Sequence, residues 1–63
     1  MEVLRMFSIE IKFRRKYSKD VITEVFDDVI SASAFFEELR ADKTVTTATY
    51  TIINHNEVAA FHR

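Results

Sequence analysis

Glycine, proline, cysteine and tryptophan are all missing from this 63-residue chain, and each kind of absence closes off some structure or chemistry. Without cysteine no disulfide can form, which suits a reducing compartment where such bridges would not persist. Without glycine there is no glycine-bearing turn to present a nucleophile, and hairpins must close through loops longer than two residues. Without proline nothing of that kind guards the edges of a sheet. Long apolar runs are lacking too. No stretch approaches the roughly 20 apolar residues of a membrane span. The opening Met1-Glu2-Val3-Leu4-Arg5 begins with an acid, and Glu10 and Lys12 interrupt any apolar core of a signal peptide.

What remains is a chain 48% hydrophobic and 30% charged, with six phenylalanines (Phe7, Phe13, Phe26, Phe35, Phe36 and Phe61). Its length admits one domain, residues 1–63, near the lower limit for an unaided core, because a domain of this size buries only roughly 60% of its unfolded surface. The phenylalanines supply enough apolar volume for a core without staples, with a thin stability margin.

Side-chain periodicity divides the chain into five pieces. Apolar residues at Val3, Phe7, Ile9, Ile11 and Phe13 alternate with Ser8, Glu10, Lys12 and Arg14, which predicts a strand with one buried face. Val21 to Phe26 favours a second strand through its β-branched residues. The pair forms a hairpin whose turn is carried by Lys16, Tyr17, Ser18, Lys19 and Asp20. From Ser31 to Asp42, Ala32, Phe35, Phe36 and Leu39 recur at three- and four-residue spacing, which predicts a helix. Asp28 or Ser31 is its expected cap. The Thr- and Ile-rich run from Val45 to Ile53 reads as a third strand, Asn54-His55-Asn56 as a turn and Val58 to His62 as a fourth strand. The order β-β-α-β-β predicts an α+β domain, an antiparallel sheet with one helix packed on its apolar face.

Charge is segregated along the chain. Residues 1–19 hold six bases (Arg5, Lys12, Arg14, Arg15, Lys16, Lys19) against two acids, whereas residues 20–42 hold seven acids (Asp20, Glu24, Asp27, Asp28, Glu37, Glu38, Asp42) against Arg40 alone. The hairpin tip is therefore basic and the helix with its approach acidic, which offers two partner surfaces. Lys12-Phe13-Arg14-Arg15-Lys16-Tyr17 interleaves cations with aromatics, as single-strand nucleic-acid platforms do. Phe13 belongs to the inward face, however, and a net charge of −1 lacks the basic footprint of a nucleic-acid binder. Acids on an exposed helix are also the ordinary route to solubility.

Catalysis finds little support. The two histidines, His55 and His62, fall in a turn and at a frayed terminus, and they are too few for a structural zinc site of four donors. Asp27-Asp28 reads as a helix cap before it reads as a catalytic pair. The stripe Ala32, Phe35, Phe36, Leu39 reads as core. Adjacent Phe35 and Phe36 lie about 100° apart around a helix, so one of them is a candidate for a partner.

Shared spacing ties several residues to a known family: Met1-Glu2-Val3, Ile22-Thr23, Asp27-Asp28-Val29, Ala32, Phe36, Glu38 and Glu57-Val58. On these the chain resembles the Dmd antitoxins of T-even-type bacteriophages over nearly its whole length. The resemblance implies a protein that is not an enzyme and needs no cofactor. It would bind bacterial mRNA endoribonuclease toxins of the RnlA and LsoA type in the host cytoplasm. There it would occupy the toxin's RNA-binding groove, so that phage messages survive. The implied toxin-binding group is Asp27, Asp28, Ser31, Glu37, Glu38 and Arg40 on the helix and its approach, with Arg15 and Tyr17 as a secondary contact. Ser31 stands where a relative carries tryptophan and Arg40 where it carries a neutral polar residue, so target range is expected to differ. No membrane and no direct nucleic-acid partner are expected, and the free protein is expected to be a monomer or weak homodimer. Two other readings are a small phage protein binding single-stranded nucleic acid or a host transcription component through its basic hairpin, and a homodimer pairing strand edges.

Overall fold

Two strands carry most of the buried residues, and this decides the order of the sheet. In the computed structural model, which describes residues 8–52 and 57–63, β1 (Ile9–Arg15) buries Ile9, Ile11 and Phe13, and β3 (Val45–Ile52) buries Val45, Ala48 and Tyr50. These two pair side by side at the centre. The more exposed β2 (Ile22–Phe26) and β4 (Glu57–His62) flank them, giving the antiparallel order β2-β1-β3-β4. Between β2 and β3 the chain forms the helix α1 (Val29–Ala41). Because β2 and β3 both run antiparallel to β1, they are parallel to each other, and the helical connection crosses over β1. The expected α+β domain with β-β-α-β-β order is the observed fold.

One face of the sheet is covered by α1. Ala32, Phe36 and Leu39 of the helix are buried with Ile9, Ile11, Phe13, Val45, Ala48 and Tyr50, while Phe26, Phe35, Ile52, Ala59 and Phe61 pack around them. Full burial of an Ile side chain such as Ile9 or Ile11 stabilises by about 1.5–3 kcal/mol. Phe35 and Phe36 both turn inward, so neither projects from the helix toward solvent. Phe36 meets Tyr50 edge-on at 5.6 Å and Phe61 at 5.7 Å, whereas half-buried Phe35 meets Phe13 at 5.7 Å and Phe26 at 5.4 Å. The sheet is wide enough to receive both: one ring points toward β2, the other toward β4.

The helix begins two residues before the expected Ser31. Asp28, in extended conformation, is the N-cap, and its carboxylate accepts from the Ser31 backbone N–H at 2.9 Å and from the Ser31 hydroxyl at 2.7 Å. Ser31 is thus the partner of the cap. The other end closes without glycine. The C-cap Asp42 stays extended at φ −87°, ψ 111°, so no left-handed residue is needed at the cap, and its N–H donates to the carbonyls of Glu38 and Leu39 at 3.0 and 3.1 Å.

Two further departures concern the strands. The β1–β3 and β3–β4 pairings each carry one irregularity, whereas β1–β2 pairs without one. Thr46 is extra opposite Arg14 and Arg15, and Val58 is extra opposite Tyr50 and Thr51. His62 is paired with Thr47 and is no frayed end. The expected strand residues Val3, Phe7 and Ile53 and the expected turn Asn54-His55-Asn56 lie outside the described residues. Among the described residues, no helix is long and apolar enough to cross a membrane.

Candidate functional site

Folding distributes the charged residues between the two faces of the sheet. Cross-strand partners share a face, so the side opposite α1 presents Glu10, Lys12 and Arg14 of β1 with Thr23 and Val25 of β2, Thr47, Thr49 and Thr51 of β3, and Ala60 and His62 of β4. Most described carboxylates (Glu24, Asp27, Asp28, Glu37, Glu38, Asp42) lie on the helix side or along the helix itself.

On the helix, the residues expected to bind a partner separate into a rim and a scaffold. Glu37 and Glu38 are exposed at mid-helix, and Glu37 pairs with Arg40 at 3.5 Å. Arg40 also lies over the rings of Phe36 and Phe61, 5.2 and 5.5 Å from their centres, and so lids the core as well as bordering it. Beside this pair a groove of about 360 Å³ runs between α1 and the β3–β4 hairpin, floored by Val29, Phe36, Tyr50, Ile52, Val58 and Ala59. An apolar groove with a charged lip can take an apolar side chain from a partner while the lip steers its approach. Sequence reading found Glu37 and Arg40 but missed the floor, because Val58 and Ala59 arrive there only through pairing of β4.

Asp27, Asp28 and Ser31 sit together at the start of α1, beside a shallow hollow lined by Ser8, Val25, Phe26, Asp27 and Ser31. Both hydrogen bonds from Ser31, that of its hydroxyl foremost, hold the Asp28 carboxyl below the ordinary aspartate value of 3.8. This is cap chemistry. Val29 and Ile30 next to it are exposed, Ile30 to 79%.

At the opposite end of the helix the arrangement is different. Asp42 accepts from the Thr44 N–H at 2.9 Å and from its hydroxyl at 2.8 Å, and Arg15 lies 3.8 Å away. These bonds, the Thr44 N–H first, and the nearby charges of Arg15 and Arg63 lower the Asp42 carboxyl below the ordinary 3.8. The Arg15 Nη1 is buried with no hydrogen-bond partner among the described residues, and its guanidinium faces the Phe13 ring at 5.3 Å. The ring's electron density offsets part of that loss. Arg63, invisible to any motif, donates to the carbonyls of Val45, Leu39, Arg40 and Asp42. It does for the last helical turn what a glycine cap does elsewhere.

The eight expected contact residues therefore do not form one cluster. A helix of 13 residues is about 20 Å long. It keeps Asp27, Asp28 and Ser31 apart from Arg15, which sits by Asp42, and from Tyr17 on the hairpin turn beyond it. Glu37, Glu38 and Arg40 lie between these ends. Tyr17 is 72% exposed.

A hollow of about 430 Å³ opens beside Arg15, lined by Arg14, Lys16, Ser18, Lys19, Thr46, His62 and Arg63 as well. Its shape depends on β4 bringing His62 and Arg63 back beside β3, where the Arg63 N–H donates to the Thr46 carbonyl at 2.7 Å. Comparison of the chain with protein-family models, with curated proteins and with solved structures finds no match.

Proposed function

We propose that the protein is an antitoxin of the Dmd kind, which binds a bacterial mRNA endoribonuclease toxin of the RnlA or LsoA type and keeps RNA out of its groove. The observation that carries this reading is the apolar groove between α1 and β4 with Glu37 and Arg40 at its lip. It provides an anchor pocket beside exposed acids, the combination suited to a partner whose own groove must be basic where RNA lies. The acids speed the encounter, and desolvation of an apolar side chain in the groove slows release. The sequence resemblance supplies the identity of the partner.

In this reading the protein acts by occupancy and not by catalysis, needs no cofactor, and works in the cytoplasm of the infected bacterium, where phage messages are exposed to the toxin. Contact centres on Glu37, Glu38 and Arg40. Asp27, Asp28 and Ser31 shape the start of the same helix, and Arg15 and Tyr17 reach a separate patch.

The test is RNA cleavage by a purified RnlA- or LsoA-type toxin with and without a stoichiometric amount of this protein, alongside size exclusion of the mixture. Inhibition with co-elution is the expected result. Continued cleavage by both toxins, with no complex formed, would remove the reading.

A further inference from the structure

We propose that the hollow at the β1–β2 hairpin end is a binding site for the phosphate backbone of single-stranded RNA. Five cations line it, Arg14, Arg15, Lys16, Lys19 and Arg63, together with His62 and the hydroxyl residues Ser18 and Thr46; among the described residues no carboxylate side chain does. Two of the five have internal duties, Arg15 toward Asp42 at 3.8 Å and Arg63 toward the end of α1. Among the described residues, Arg14, Lys16 and Lys19 form no ion pair. Gathering like charges in one concavity raises the local potential and costs self-repulsion, which a bound polyanion relieves.

Phosphodiester suits this hollow better than an acidic protein surface for three reasons. Arginine and lysine stand beside a serine hydroxyl, the donor set that backbone phosphates use. Exposed Tyr17, between the lining residues Lys16 and Ser18, offers a ring for a base to stack on. The open face of the sheet continues the track: Lys12, paired with Glu10 at 3.7 Å, follows Arg14 at about 6.8 Å along β1, flanked by Thr47 and Thr49 of β3. The net charge of −1 speaks against nucleic acid only while charge is summed over the chain. In the fold Asp27, Asp28, Glu37 and Glu38 lie along the helix and its approach and Asp42 meets Arg15, so that sum does not describe this end. The hollow lies at the β1–β2 hairpin end, separate from the α1–β4 groove that carries the toxin reading, and shares with that reading only Arg15 and Tyr17.

The experiment is fluorescence anisotropy of a labelled oligouridylate of about twelve nucleotides, titrated with the purified protein at about 50 and about 200 mM salt. Neutralisation of three phosphates by Arg14, Lys16 and Lys19 predicts that affinity falls roughly 15- to 20-fold between these salts. Arg14→Gln with Lys16→Gln, shown by circular dichroism to be folded, should cut that loss to about threefold. Glu37→Gln with Glu38→Gln should leave it unchanged. No binding at the lower salt, or a salt dependence that the basic variant does not alter, would overturn the proposal. Displacement of the RNA by polyglutamate of equal charge as effectively as by unlabelled RNA would also overturn it, by showing a site for acidic protein.

Discussion

Arg63 donates from Nη2 to the carbonyl oxygen of Leu39 at 3.3 Å, joining β4's end to the last turn of a helix 24 positions earlier in the chain. The same guanidinium lies 4.8 Å from the centre of the Phe61 ring and also serves Val45, Arg40 and Asp42. A chain without glycine has closed its helix with a distant side chain.

Removing that side chain should therefore cost more than an ordinary surface change. Arg63→Ala leaves several carbonyls dependent on water and uncovers Phe61, and is expected to destabilise by about 1–3 kcal/mol in urea unfolding. Arg63→Lys should recover only part of this, since an ammonium cannot spread its donors as the guanidinium fork does. Full rescue by lysine would show that charge alone matters.

Core and surface positions on α1 should separate widely. Phe36→Ala removes a buried ring that touches Tyr50 and Phe61 and should cost about 3–5 kcal/mol. That is comparable with the whole stability of about 3–9 kcal/mol expected for 63 residues. Ile30→Ala, at a largely exposed position, should change stability by no more than about 0.5 kcal/mol. Circular dichroism of the two variants at room temperature distinguishes them.

Acid should weaken the fold through the two helix ends. Asp28 and Asp42 are both held below the ordinary value of 3.8. Between the lowered value and 3.8 the unfolded chain therefore binds more protons than the native one. Their contribution is complete above the unfolded value and is lost as pH falls through the folded one. Stability measured by urea unfolding should stay level from neutral pH down to mild acidity and decline below about pH 4. Asp28→Asn with Asp42→Asn should flatten this acid limb; an unaltered limb would assign it to other carboxylates.

Charge reversal at Glu37 and Glu38 tests the groove's lip. Both residues are exposed, so Glu37→Lys with Glu38→Lys should leave the domain folded, since the Glu37–Arg40 pair is a surface interaction of small value. Association with the toxin partner proposed above should slow by roughly tenfold at low salt. Equal association rates for variant and wild type would take mid-helix out of the interface.

The β2 edge offers a last test. Val21, Ile22 and Val25 are exposed there, no proline interrupts the strand, and such an edge pairs readily with another. Sedimentation at high concentration should give an average mass above the monomer's 7.4 kDa, and Val25→Lys should return it to the monomer value. A wild-type chain that stays monomeric throughout would count against edge pairing.

By itself the sequence determined the kinds and order of the elements. Alternation at Ile9, Ile11 and Phe13, the spacing of Ala32, Phe36 and Leu39, and the Thr-rich run after Val45 each report a local backbone period, which is written in consecutive residues. It also announced a basic hairpin and an acidic helix. The tertiary structure decided what depends on residues far apart in the chain: β1 and β3 at the centre, both Phe35 and Phe36 inward, and Arg63 at the last turn of the helix. Pairing of β4 with β3 floors the groove with Val58 and Ala59 and carries His62 to the basic hollow. Such contacts follow from which apolar faces bury best together, and that is settled only when all the strands compete for the same neighbours.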